Sequence, residues 1–126
     1  MKGIVFLGQH KLEVQEFEDP TPGPDEVILE IKASGMCGSD LKVYRAVDGP
    51  SSLGLGGEDK QVIAGHEPCG TIVELGKDVN KNNFKKDMNV MQHHYKGCGT
   101  CVHCSTGWQQ LCVDGVKEVY LSLIHI

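Results

Sequence analysis

Six cysteines stand in 126 residues, and four of them, Cys98, Cys101, Cys104 and Cys112, crowd into one short stretch. A Cys-x-x-Cys-x-x-Cys run with a more distant fourth thiol is a spacing that holds a metal or makes a cross-link. Two-residue gaps let backbone amides turn inward around an ion, and a tetrahedron of thiolates suits zinc, which has no redox chemistry of its own. Other chemistries fit less well. In a bacterial ferredoxin run the fourth cysteine follows after three residues and precedes proline; here seven residues intervene between Cys104 and Cys112, and Val113 follows. A disulfide needs an oxidising compartment, and a thioredoxin-like Cys-x-x-Cys needs a strand before it and a helix after it, a context that Gly97, Gly99 and Gly107 interrupt. The expectation is a closed, structural zinc knuckle.

Two further groups could do chemistry. Gly35-Met36-Cys37-Gly38-Ser39-Asp40 and Gly65-His66-Glu67-Pro68-Cys69-Gly70 each offer metal donors. A lone cysteine is more often a small buried hydrophobe, and a lone His-Glu pair more often sits on a surface, so each segment is weak by itself. His93 and His94 are adjacent, would point to opposite faces of a strand, and read as ordinary strand residues. His103 could compete for the knuckle's ion, although four thiolates already complete its shell.

Those donors need rigid elements beneath them. Residues 4–7 and 12–17 are short apolar and branched runs around Gly8-Gln9-His10-Lys11, the pattern of a β-hairpin. Asp19-Pro20-Thr21-Pro22-Gly23-Pro24 then blocks regular structure. Residues 26–33 alternate apolar and charged side chains, and residues 71–75 repeat the pattern up to Gly76, so both are expected to be half-buried strands. Residues 88–94 form a weaker strand leading into the cysteines. Residues 39–45 look briefly helical, with Ser39 as a possible N-cap. Residues 48–60 form a Gly- and Ser-rich loop whose Gly54-Leu55-Gly56-Gly57 run fails the Gly-x-Gly-x-x-Gly dinucleotide pattern. The whole reads as mainly β, an antiparallel sheet or partly closed barrel.

Composition narrows the partners. A net charge of −5 with scattered Lys and Arg argues against nucleic acid and anionic membranes. No stretch approaches the ~18 apolar residues of a membrane span. The apolar run over residues 3–8 is cut off by Gln9, His10 and Lys11, too early for a secretory core. The thiols are therefore expected to stay reduced in a cytoplasmic location.

Taken together, Gly35 to Asp40, Gly65 to Gly70, the spacing from Cys98 to Cys112 and the Pro22-to-Ile31 lead into a strand resemble the N-terminal, GroES-like catalytic domain of zinc-dependent medium-chain alcohol and polyol dehydrogenases. That resemblance implies a catalytic zinc on Cys37 and His66, with Glu67 as a further or alternate ligand, and a structural zinc on Cys98, Cys101, Cys104 and Cys112. It also places Ser39 in a proton relay and Asp40 behind His66, although Ser39 could simply cap a helix and Asp40 could simply favour its N-terminus. Family members often carry histidine where Lys42 stands, so the outer part of the relay is expected to differ here. Lys86-Asp87-Met88-Asn89-Val90 departs from the family's Gly-Asp-Arg-Val, so an altered turn is expected there. The implied activity is hydride exchange between an alcohol or polyol and NAD or NADP, in a homo-oligomeric full-length enzyme.

No nucleotide-binding Rossmann unit fits in this length. The chain is thus expected to be an incomplete catalytic domain over residues 1–120, including the lobe 98–112. Residues 121–126 match the translation of a common sequencing-transposon end and are expected to be a non-native tail. A stand-alone zinc-binding module without catalysis is the other function class.

Overall fold

The hairpin forms as its pattern requires. The computed structural model describes residues 1–48 and 63–115, and the backbone of residues 118 and 119, so most of the expected 48–60 loop, its Gly54-to-Gly57 run and the 121–126 tail lie outside the described residues. Strands β1 (Lys2–Gly8) and β2 (Lys11–Glu16) pair antiparallel. Gln9 and His10 at the tip both have positive φ, 50° and 61°. Two consecutive left-handed residues make the tight turn whose twist matches a hairpin. Neither is glycine, and outside contacts hold them there. The Gln9 N–H donates to Ala46 O at 2.8 Å, the His10 N–H to Tyr44 O at 2.9 Å, and the His10 ring packs edge-on against Tyr44.

Those acceptors lie at the end of helix α1 (Gly38–Arg45), the longer of the two α-helices among the described residues. Its buried Val43 and its Tyr44, tilted against Phe6, bind the helix to β1. The N-cap is Cys37 rather than Ser39: the Ser39 N–H donates to Cys37 Sγ, and Asp40 returns a carboxylate to the Cys37 N–H, closing a capping box. Ser39 falls two residues too late because Gly38 already has helical geometry.

The main sheet orders β3 (Val27–Gly35), β4 (Glu67–Leu75) and β5 (Asn89–Met91), all antiparallel. β4 is central and shows the period of two expected of a strand with one face packed, with Pro68, Gly70 and Ile72 buried in turn. Irregular register at Ile28/Leu29 and Ile31/Ala33 bends β3 across it. Val5, Phe6, Leu29, Val43, Ile63 and the fully buried Ile72 make the apolar core. Val5 bridges to Ile63, and the Ala64 N–H reaches Ile4 O at 2.7 Å.

The strand expected over residues 88–94 is shorter. After Met91, the Gln92 N–H turns to Pro68 O and pairing stops, so His93 and His94 are not strand residues. The preceding turn holds Asp87 at φ 68°, a left-handed position that aspartate tolerates better than most residues. A third small sheet pairs β6 (Tyr95–Lys96) with β7 (Glu118–Val119). Between them lie α2 (Val102–Ser105) and a single 3-10 turn over Gln109–Leu111. The fold is mainly β, as expected, and its three sheets do not close into one barrel among the described residues. No described helix is long and apolar enough to cross a membrane.

Candidate functional site

Strand register assembles the first donor set. β3 ends and β4 begins side by side, with Gly35 opposite Glu67. The chain leaving β3 therefore places Cys37 beside the chain entering β4 at His66. A Cβ on Gly35 would meet the Glu67 carboxylate, so a larger residue at that crossing would displace this donor. Cys37, His66 and Glu67 bring one donor atom each to within 4.8 Å of one another.

Hydrogen bonds orient these donors. His66 and Asp40 are each only 6% exposed. Asp40 Oδ1 lies 3.3 Å from His66 Nδ1, while Asp40 Oδ2 accepts the Cys37 N–H at 2.8 Å. One carboxylate thus does both jobs expected as alternatives, holding the histidine ring and capping the helix. With Nδ1–H facing Asp40, Nε2 keeps its lone pair on the side of Cys37 Sγ, 3.2 Å away. A carboxylate behind a histidine is the usual way a ligand's tautomer is held. Ser39 Oγ sits 2.8 Å from Cys37 Sγ and is exposed, so the set opens to solvent there.

Cys98, Cys101, Cys104 and Cys112 also gather within 4.8 Å, and none forms a disulfide. Backbone N–H groups point at the sulfurs: Cys98 at Cys112 Sγ (3.3 Å), Cys101 at Cys98 Sγ (3.4 Å) and Cys104 at Cys101 Sγ (3.5 Å). The Thr100 hydroxyl and N–H, then the Cys101 N–H, draw the Cys98 thiol below its ordinary range. Cys101 falls to about 6, chiefly through the Cys104 N–H and next that of Val113. Burial pushes Cys104 up to about 12, with the neighbouring sulfurs adding to the effect. Thiolate-stabilising amides around four sulfurs that repel one another once ionised are a donor set that fits a soft dication. The lobe is tightly closed: a Cβ on Gly97 would strike Cys104 Sγ, and the Gly97 N–H donates to Gln109 Oε1 at 3.0 Å.

Cys69 and His103 belong to neither donor set. Cys69 stands opposite Ala33 and Met91 in the sheet. His94 is what the sequence pattern concealed. Its ring meets His66 edge-on with centroids 5.6 Å apart, and Tyr95 packs on it at 4.3 Å. Burial, then His66 and His93, lowers its pKa against an opposing pull from Glu67. The break in apolar alternation at Gln92-His93-His94 was the signal that the strand had ended.

The family model for the alcohol dehydrogenase GroES-like domain matches residues 23–123. The chain belongs to that family. It is 35% identical to an uncharacterized zinc-type alcohol dehydrogenase-like protein, YphC, of Escherichia coli K12, over 95% of this chain and 34% of that protein. A sorbitol dehydrogenase of Halalkalibacterium halodurans is 36% identical over 89% of this chain and 31% of its own length. The solved galactitol-1-phosphate dehydrogenase of Escherichia coli superposes with a TM-score of 0.70 at 26% identity, covering 96% of this chain and 32% of that one. This GroES-like chain spans about a third of the length of these relatives.

Proposed function

We propose that this chain is the zinc-bearing catalytic part of an oxidoreductase that moves a hydride between an alcohol or polyol and a nicotinamide cofactor. The observation that carries the reading is the open, mixed-donor set of Cys37, His66 and Glu67, a sulfur, a nitrogen and a carboxylate within 4.8 Å, standing apart from the closed four-sulfur set. Open sites with mixed donors are those in which zinc is catalytic, and closed thiolate sites are those in which it is structural.

Cys37, His66 and Glu67 would hold the catalytic ion, and Cys98, Cys101, Cys104 and Cys112 the structural one. Bound zinc supplies Lewis-acid polarisation of the substrate oxygen. Asp40 holds His66 in the tautomer that presents Nε2. Ser39, exposed beside Cys37, passes the substrate hydroxyl's proton toward solvent. Lys42 follows on the same helix, and that path ends at Ser39 or at water. In this reading residues 1–120 form the incomplete catalytic domain, 98–112 its structural lobe, and 121–126 a non-native tail. NAD or NADP binds to the part of the full-length, cytoplasmic, homo-oligomeric enzyme that these residues do not span.

Counting zinc tests the assignment. The chain is expected to hold two ions, and Cys37→Ala to lose one of them while the lobe keeps the other. A single ion that survives Cys37→Ala would instead mark a zinc module without catalysis.

A further inference from the structure

Among the described residues β2 and β3 are each paired along one side only. A free strand edge is a template for another strand, and proteins ordinarily blunt it with bulges, charges or proline. β3 is blunted, because its register shifts at Ile28/Leu29 and Ile31/Ala33 and an ion pair of Lys32 with Glu30 (2.7 Å) sits on it. β2 is not. It holds no proline, and it keeps an unbroken register against β1 from Lys2↔Glu16 to Phe6↔Leu12. The ladder also shows which of its groups face outward. The Phe17 N–H donates to Met1 O at 2.8 Å, so hydrogen-bonded pairs alternate from there through Gly3↔Gln15 and Val5↔Glu13. The residues between those pairs turn away from the hairpin, as Ile4 O does in accepting the Ala64 N–H. On β2 the N–H and C=O of Leu12, Val14 and Glu16 therefore point outward. The side chains of Leu12 and Val14 share a face with Ile4, and all three are exposed, at 50, 64 and 46%.

We propose that β2 is the docking edge for a second copy of this chain, the two β2 strands pairing antiparallel about an axis at Val14 so that two hairpins become one sheet. In that register Val14 meets Val14 of the second copy and Leu12 meets Glu16. Every outward N–H then faces an outward C=O. The exposed Ile4, Leu12 and Val14 of both copies join on one face, and a twofold axis makes the patch its own complement. Charge selects the same register. Glu13 stands opposite Gln15 of the second copy, whose amide already reaches a Glu13 carboxylate within one chain at 3.2 Å. Moving the strands so that Leu12 meets Val14 would instead set Glu13 against its own copy, like charges face to face. A ladder of one short strand pair is a small interface, so the dimer is weak and depends on concentration. The inference is independent of the dehydrogenase reading, because β2 contributes nothing to either donor set.

Sedimentation equilibrium of the zinc-loaded chain, with amide exchange read by NMR in the same samples, tests the edge. The wild-type mass is expected to rise from one chain toward two with concentration. Exchange at Leu12, Val14 and Glu16 should slow in step, while Glu13 and Gln15, whose N–H groups face β1, stay as they were. Proline is tolerated where a strand's N–H faces solvent, so Val14→Pro removes an outward donor and spares the ladder to β1. It is expected to weaken the dimer by about tenfold or more with the Ile72 amide still protected. A wild-type chain that stays single up to about 1 mM overturns the proposal. So does a dimer that slows exchange elsewhere, or one that Val14→Pro leaves unchanged. Slow exchange at Leu12, Val14 and Glu16 at every concentration would mean that another part of the same chain covers the edge, and overturns it too. If Val14→Pro loses the Ile72 protection, Val14→Lys decides: it sets two like charges on the axis, and a dimer of wild-type strength overturns the pairing while a weakened one supports it.

Discussion

The two donor sets are built in opposite ways. The cysteine lobe is local: four sulfurs come from fifteen consecutive positions, and the N–H groups that point at them come from the same turns. The open set is long-range: Cys37 and His66 lie 29 residues apart and meet because β3 and β4 pair with Gly35 against Glu67. A local site depends on its ion to stay folded, since short irregular loops bury little else. A site at strand ends depends on the sheet, and its geometry exists whether or not an ion is present. Structure is therefore coupled to metal in one region and to apolar packing in the other.

The sharpest way to break that contrast is Cys101→Ser. Cys101 donates a sulfur to the set, caps α2 and receives the Cys104 N–H. Structural zinc sites contribute about 10–16 kcal/mol of apparent binding energy in small zinc-finger peptides, far more than residues 98–112 could recover by packing alone. The lobe is expected to lose its zinc and its protection from amide exchange, while the second zinc stays on Cys37 and His66. Loss of both ions would mean that the two regions fold as one unit.

The converse experiment attacks the sheet. Ile72 is 0% exposed at the centre of β4, between β3 and β5. Ile72→Ala leaves a cavity there and is expected to cost about 2–5 kcal/mol. Chemical denaturation of the zinc-loaded protein should show the Cys37–His66 zinc released at lower denaturant than in wild type, with the lobe's zinc released where it was before. Equal shifts for both ions would erase the distinction.

This division also explains what could be read from the sequence. The lobe was legible from spacing, because its geometry is set by consecutive turns. The hairpin and α1 were legible for the same reason. Cys37 and His66 became meaningful only as a pair, through motif resemblance, since no local pattern states that Gly35 will stand opposite Glu67. The thiol cap was missed because serine is the commoner cap and Ser39 stood two residues away. His93 and His94 were misread because two residues with strand-like neighbours do not reveal that β5 ends at Met91, just where β4 begins beside it. The pairing of Tyr95 and Lys96 with residues 118 and 119 closes a loop around the whole lobe, and two-residue strands carry too little pattern to announce it.

The smallest expected effect sharpens the comparison most finely, because it falls on a single hydrogen bond. Asp40 serves two partners with two equivalent oxygens: Oδ1 faces His66 Nδ1 and Oδ2 accepts the Cys37 N–H. Asn keeps the shape and has one acceptor, so Asp40→Asn can satisfy the helix cap or the histidine, not both. Replacing such a partner of a ligand histidine typically weakens metal binding 10–100-fold, about 1.4–2.7 kcal/mol. Competition with a zinc chelator should show that weakening for the Cys37–His66 ion alone, with the lobe's ion unmoved and the helical signal of α1 retained. If both ions kept wild-type affinity, Asp40 would be a helix cap and nothing more, and His66 would owe its orientation to the ring of His94 instead.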